Sequence, residues 1–254
     1  MTYLTQSSGQ RPHVTVLELD RPPHNHLHVD LLAALADTLD RLDDDDDCRA
    51  VVLAAAGKVF SAGADFSPTG DGAANDTASF YGQAMRIFRN RKPIVAAVQG
   101  AAVGAGLGLA VAADFRVTCA EARFCANFNR LGFHPGFGLS VTLPRLVGAQ
   151  QAAQLFYTGR RISGEEALRI GLADVLVAAD QVREAALDLA AEIAISAPLA
   201  VESTRETLRL GLADAVRSAN ERELAIQRVQ FATEDFKEGV AAMAQRRLPS
   251  FLRR

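Results

Sequence analysis

The chain has 254 residues, of which 49% are hydrophobic and 22% charged, with a formal net charge of −3; this supplies apolar material for one large α/β domain or two small ones and argues against a disordered chain. Lysines and arginines are scattered until the tail, so no basic field invites nucleic acid or an anionic membrane, and neither is expected as a partner. Three cysteines, Cys48, Cys119 and Cys125, share no C-x-x-C spacing, which favours reduced, inert thiols over a disulfide framework. With a polar first twenty residues and no apolar run of membrane-spanning length, the expectation is a cytoplasmic protein without a signal peptide.

In chain order, VTVLEL (Val14 to Leu19) alternates apolar and polar residues and stops at Asp20-Arg21-Pro22-Pro23, a strand running into a turn. Leu31, Leu32, Leu35, Leu39 and Leu42 recur at helical spacing, predicting an amphipathic helix that ends in the acidic run Asp43 to Asp47. Five adjacent acids lack the alternation, central glycine and closing glutamate of a calcium loop, so they read as a solvated turn. AVVLAAAG (Ala50 to Gly57) and PIVAAVQG (Pro93 to Gly100) are continuous apolar runs, as strands buried on both faces would be; FRVTCA (Phe115 to Ala120) and ADVLVA (Ala173 to Ala178) join them. Helical stretches at 73–90 and 104–113 separate these runs, which predicts parallel βαβ units. Ser163-Gly164-Glu165-Glu166 is a capping box, and residues 180–247 read as three or four amphipathic helices with no strand between them. The division expected is an α/β core over residues 1–197 and a C-terminal helical segment over 198–254.

Two glycine-rich turns stand at the ends of buried strands. One is SAGADF (Ser61 to Phe66); the other is GAAVGAGLGLA (Gly100 to Ala110). Small residues between a strand and a helix leave backbone N–H groups open to a ligand at the positive end of the helix dipole. A dinucleotide fingerprint is excluded by the spacing of Gly104, Gly106 and Gly108, and a Walker loop by the absence of Gly-Lys-Ser/Thr. Close helix-to-sheet packing is the alternative explanation of the same glycines.

With their flanks these turns resemble the crotonase superfamily, also called the enoyl-CoA hydratase/isomerase family. The resemblance runs through LDRPPHNHL (Leu19 to Leu27), VVLAAAGKVFSAGADF (Val51 to Phe66), KPIVAAVQGAAVGAGLGLAVAADFRV (Lys92 to Val117), ARFCANFNRLGFHPGFG (Ala122 to Gly138), the block from Leu146 to Val177 and FATEDFKEGVAAM (Phe231 to Met243). It implies a crotonase-like spiral of ββα units with a helical C-terminal segment that trimerises, giving a homotrimer or a hexamer. It also implies a coenzyme A thioester as substrate, with no other cofactor and no metal. The amides of Ala64 and Ala105 match the two donors to the thioester oxygen, and Ala105 replaces a customary glycine without losing the amide hydrogen. The other family positions matched to the substrate are His26, Ala62, Asp65, Phe66 and Gly104, together with Phe231 and Lys237 toward the adenine and phosphate end.

The resemblance breaks at the acids. The two glutamates that hold and activate water in hydratases fall at Gly108 and Phe128, and neither side chain can exchange a proton. Standard two-glutamate hydration is therefore not expected, and a non-catalytic acyl-CoA-binding protein is the rival expectation. Among the remaining groups His134, on a loop expected to skirt the acyl pocket, is the candidate base. His24, His26 and His28 beside Asn25 lie in the segment matched to the coenzyme, and no acid or cysteine cluster accompanies them as a metal site would need. Asp71 is a candidate acid on a mobile loop, Asn127 and Asn129 are candidate hydrogen-bonding groups, and Phe128 suggests an apolar or aromatic acyl chain.

Overall fold

The computed structural model describes residues 3–8, 10–64 and 76–254. Its strands, in chain order, are β1 (Leu4–Ser8), β2 (Val14–Leu19), β3 (Ala50–Ala55), β4 (Ile94–Val98), β5 (Ala101–Val103), β6 (Phe115–Thr118), β7 (Arg123–Cys125), β8 (Arg161–Ser163) and β9 (Val175–Leu176). Its helices are α1 (Val29–Asp43), α2 (Thr77–Ile87), α3 (Ala105–Ala112), α4 (Leu139–Val147), α5 (Ala149–Thr158), α6 (Gly164–Arg169), α7 (Val182–Ala194), α8 (Pro198–Leu208), α9 (Leu212–Gln230) and α10 (Glu234–Ala244). Six strands form the main sheet in the order β1-β2-β3-β4-β6-β9, and three form a second sheet in the order β5-β7-β8. All neighbours in the main sheet are parallel except β1 and β2.

Every residue of β3 and β4 is buried, because helices cover both faces of the sheet there. On one face Leu35 and Leu39 of α1, Ile87 of α2 and Leu109 of α3 meet Leu17, Leu53 and Ile94 of the strands. On the other face α7 packs across β3, β4 and β6. The helix starts follow their sequence signals: the His28 ring accepts from Leu31 N at 3.0 Å to cap α1, and Ser163 Oγ accepts from Glu166 N at 3.2 Å to cap α6. His28 is thus a capping residue rather than a ligand of the site.

The C-terminal segment comprises α8, α9 and α10, and in this chain it folds back on the core. Asp114, after α3, accepts from Ile94 N at 2.9 Å and pairs with Arg205 of α8 and with Arg209, each at 2.9 Å. Deeper still, Arg116 is 1% exposed, pairs with Asp174 at 2.8 Å and donates to the Leu172 and Ala113 carbonyls. Helix α9 lies against α2 and α4, and α10 against the short turn Asn127–Leu131. The boundary expected at residue 198 therefore separates two kinds of secondary structure that share one set of contacts.

Buried Arg205 and half-buried Arg209 lose their carboxylate partner if Asp114 is removed, and an uncompensated buried charge is among the costlier defects a fold can carry. Asp114→Ala is expected to lower the unfolding free energy by about 3 kcal/mol; equilibrium urea denaturation with an unchanged midpoint would refute this tie between sheet and α8.

Candidate active site

Two backbone segments meet with almost no side chain between them. Ser61 forms a parallel bridge with Ala102 of β5: its N–H donates to Ala101 O at 2.9 Å and its carbonyl accepts from Val103 N at 3.0 Å. A side chain at Gly106 would lie 2.3 Å from the Ser61 carbonyl, and one at Gly63 would lie 2.5 Å from Val103 O and 3.2 Å from Ala105 N. Glycine at these two positions is what lets the SAGA turn lie against the start of α3. Ala64 follows Gly63 on one segment, and Ala105 opens α3 on the other, where first-turn amides have no partner within the helix. Among the described residues neither amide donates a backbone hydrogen bond outside regular helices and strands.

Ala62, Ala64, Gly104 and Ala105 line one cavity of about 710 Å³. Its walls are mainly apolar: Phe128 and Phe133 stack edge to face at 5.6 Å, with Leu131 beside them and Val240 and Met243 of α10 opposite. Tyr81 of α2 and Cys125 of β7 complete the wall. Three exposed arginines, Arg123, Arg130 and Arg161, also line it, and so do His24 and His26. The side chain of His26 is held by Gly63 O, 3.2 Å from Nδ1, while buried Asn25 ties the same turn to Ala56 O and Val59 O. Among the described residues no carboxylate lines the cavity, and no group of three or more His, Cys, Asp or Glu is placed to hold a metal ion.

The two positions matched to hydratase glutamates differ in kind. Phe128 lines the cavity, whereas Gly108 does not: its missing side chain would lie 2.6 Å from the ring of Phe137, which is fully buried. The space a longer residue at 108 would need is filled by an aromatic ring from the loop before α4.

His134 departs from the expectation. Its neighbour Phe133 lines the cavity but the imidazole does not; Nδ1 donates to Pro135 O at 2.7 Å, and the His134 carbonyl and amide are tied to Gln227 and Gln230 of α9. The ring is turned along its own backbone by that local bond. Phe231 packs at 5.0 Å from Phe133 and 4.9 Å from Phe236, behind the cavity wall and not in it. Lys237 is exposed and paired with Glu234 at 2.7 Å. Asn127 lines the cavity and Asn129 does not. Asp65, Phe66 and Asp71 lie outside the described residues.

Sequence reasoning missed Tyr81, Cys125 and the three arginines, which, apart from Arg123 and Cys125 on β7, come from different parts of the chain and show no common spacing. Burial pushes the Tyr81 phenol well above its ordinary value, against a hydrogen bond from Gln227 that favours ionisation, so it remains a donor at physiological pH. Burial likewise pushes the Cys125 thiol up to about 11, opposed by Arg161 and Arg130. All three cysteines are buried and free. Among the described residues no helix is long and apolar enough to cross a membrane.

Fold and cavity together define an α/β protein in which two glycine-flanked backbone turns border a mainly apolar pocket that three arginines also line. Residues 9–254 match the family model described as enoyl-CoA hydratase/isomerase. A protein of Mycobacterium tuberculosis, named as a probable enoyl-CoA hydratase, is 36% identical, with 95% of this chain and 90% of that one covered. A crotonyl-CoA hydratase of Syntrophomonas wolfei is 33% identical, with 94% of each chain covered. The crystal structure of an enoyl-CoA hydratase/isomerase from Pseudoalteromonas atlantica superposes with a TM-score of 0.86 at 33% identity, covering 99% of this chain and 100% of that one. The chain belongs to the enoyl-CoA hydratase/isomerase family, the crotonase superfamily, as its sequence blocks imply.

The Phe137 ring is expected to make residue 108 intolerant of any side chain. Gly108→Ala should destabilise the protein by about 1–3 kcal/mol through overpacking, despite alanine's better helix propensity, and the same substitution should cost less when made in a Phe137→Ala background. Additive thermal shifts in the double variant would show that the two sites do not share this space.

Proposed function

We propose that the protein binds an acyl-coenzyme A thioester in this cavity and stabilises the enolate formed when the thioester reacts at its α or β carbon. The observation that carries the reading is the juxtaposition of Ala64 and Ala105 in the lining of one cavity, where a Cβ added at Gly63 would lie 3.2 Å from the Ala105 nitrogen. Two N–H groups directed at one carbonyl oxygen, one of them at the positive end of α3, favour the negative charge that develops there. Each such donor is worth about a hundred- to a thousandfold in rate. The rim arginines suit the phosphates of a coenzyme, since guanidinium groups bind phosphate oxygens in pairs, and Phe128, Phe133 and Leu131 suit an apolar or aromatic acyl chain.

The acid/base set is atypical in this proposal, because glycine and phenylalanine stand at the two glutamate positions. Proton transfer is assigned to neither position, nor to His134, whose ring is held away from the cavity by Pro135 O. The absence of a carboxylate among the described lining residues also supports a second reading, a member of the same family that holds an acyl-CoA without turning it over. Exposed Ile195, Leu199, Leu208 and Leu210 cluster from the end of α7 to the start of α9, an apolar surface that suits self-association into a trimer or hexamer. Three reduced thiols suit a reducing compartment such as the cytoplasm.

Ala105 stands at the first position of α3, where proline is tolerated in a helix. Ala105→Pro should therefore keep the fold and remove one donor, lowering turnover of crotonyl-CoA or of a branched or aromatic enoyl-CoA about a hundredfold or more. Unchanged turnover in Ala105→Pro would refute the paired-amide reading, and tight binding by calorimetry without product across the whole panel would favour the non-catalytic one. His134→Ala should leave turnover within about twofold; a collapse of activity in that variant would return the imidazole to the mechanism.

A further inference from the structure

The two amides at the cavity are supported in different ways. That of Ala105 opens α3 and shares the positive end of the helix dipole. Ala64 belongs to no helix; it forms an isolated parallel bridge with Leu27. What its peptide has instead is a carbonyl engaged twice. Gly63 O accepts from Leu27 N at 2.9 Å, and His26 Nδ1 lies 3.2 Å from the same oxygen. A carbonyl oxygen only accepts, so in this hydrogen bond Nδ1 carries the proton and donates.

The Gly63 carbonyl and the Ala64 N–H are two ends of one trans peptide, and in a planar trans unit they point in opposite directions. The oxygen faces Leu27 and His26, so the hydrogen faces away from them. Donors on the oxygen draw electron density from the nitrogen through amide resonance and leave the hydrogen more positive; hydrogen bonds linked in this way strengthen one another by about 10–30% per bond. The turn that carries His26 is itself fixed. Asn25 Nδ2 donates to Ala56 O and Val59 O, Arg21 Nη1 donates to His26 O at 3.1 Å, and Ala62 N donates to His24 O at 3.0 Å. The His24 and His26 rings meet at 85° with their centroids 5.7 Å apart.

We propose that His26 is a positioning residue for the amide pair: by donating to Gly63 O it polarises the Gly63–Ala64 peptide and makes the Ala64 amide a stronger donor to the thioester oxygen. The proposal rests on the thioester reading above. It gives the imidazole a part in stabilising the enolate without any proton passing between His26 and the substrate. The dipole of α3 supports one donor of the pair, and His26 with Leu27 N supports the other.

The test is infrared difference spectroscopy of butyryl-CoA, labelled with carbon-13 at the thioester carbonyl and bound at saturation, because a stronger hydrogen bond lowers the carbonyl stretch. The wild type is compared with His26→Asn, His26→Leu and His26→Ala. Asparagine carries an N–H close to the place of Nδ1, whereas leucine and alanine carry none. The wild type should lower the stretch relative to the free ester, and His26→Asn should keep that shift. His26→Leu and His26→Ala should lose about a tenth of it, since one donor of two is weakened. Where the wild type turns an enoyl-CoA over, the same two variants should lower kcat about two- to eightfold, which is 10–30% of one donor's contribution on a logarithmic scale. A change in affinity alone, with the stretch in both variants as in the wild type, overturns the proposal and leaves the thioester reading standing; His26 then only touches the ligand. So does a His26→Asn variant that behaves like His26→Leu, or loss of all binding in both His26→Leu and His26→Ala, which marks a purely structural residue. A wild type that does not bind butyryl-CoA, or binds it with the stretch of the free ester, overturns the thioester reading and this one with it.

Discussion

The approach of two backbones, Ser61–Ala64 and Ala101–Ala105, is the constraint on which the site depends. Main-chain groups meet there through the Ser61–Ala102 bridge, and a Cβ at Gly63 or Gly106 would force the segments apart. Because backbone and not side chains sets this distance, the geometry is fixed by the sheet and by α3, whose eight residues are all buried. Ser61 adds a further lock: its hydroxyl donates to Asn25 O at 2.7 Å and accepts from Gly63 N at 3.1 Å. Preorganisation of this kind places donors before a ligand arrives, so that little is lost in ordering them later.

Around that fixed point the cavity is assembled from elements far apart in the chain. The floor comes from the two turns, one wall from the loop after β7, and another from α10, more than a hundred residues away. The helices that bring α10 into place are anchored through buried charge, Asp114 with Arg205 and Arg209, and through Glu223 of α9, which accepts from Gly138 N, Ser140 N and Ser140 Oγ at the start of α4. A carboxylate at the N-terminus of a helix is favourably placed. Glu223 therefore ties α9 to the start of α4.

The main sheet was legible because its strands are long apolar runs: every position of Ala50–Ala55 and Ile94–Val98 is buried, and no amphipathic helix reads that way. The α1 helix and the Ser163 cap were equally plain. The strands of the second sheet were not, since β5, β7 and β8 hold three residues each, too few for a period to show. At the site, the glycines marked two close-packed turns, and it was the family resemblance that singled out Ala64 and Ala105 within them. The same resemblance put His134 on a loop beside the pocket but could not show that Pro135 O would capture the ring. Tyr81 and Gln227 were invisible for a related reason: they are 146 residues apart, and only the packing of α2 against α9 makes them a pair.

Phe137 carries a consequence for how this chain can change. Its ring fills the volume beside Gly108 and packs on Phe80 and Phe88, at centroid distances of 6.5 and 6.3 Å, so it belongs to the core. A mutational route that installs an acid at position 108 cannot begin there, because the first step collides with a ring that the core needs. It must begin by shrinking residue 137, at a cost in packing, and only then add the acid. An acid at position 108 is thus reached only through two coupled steps, the first of which costs packing.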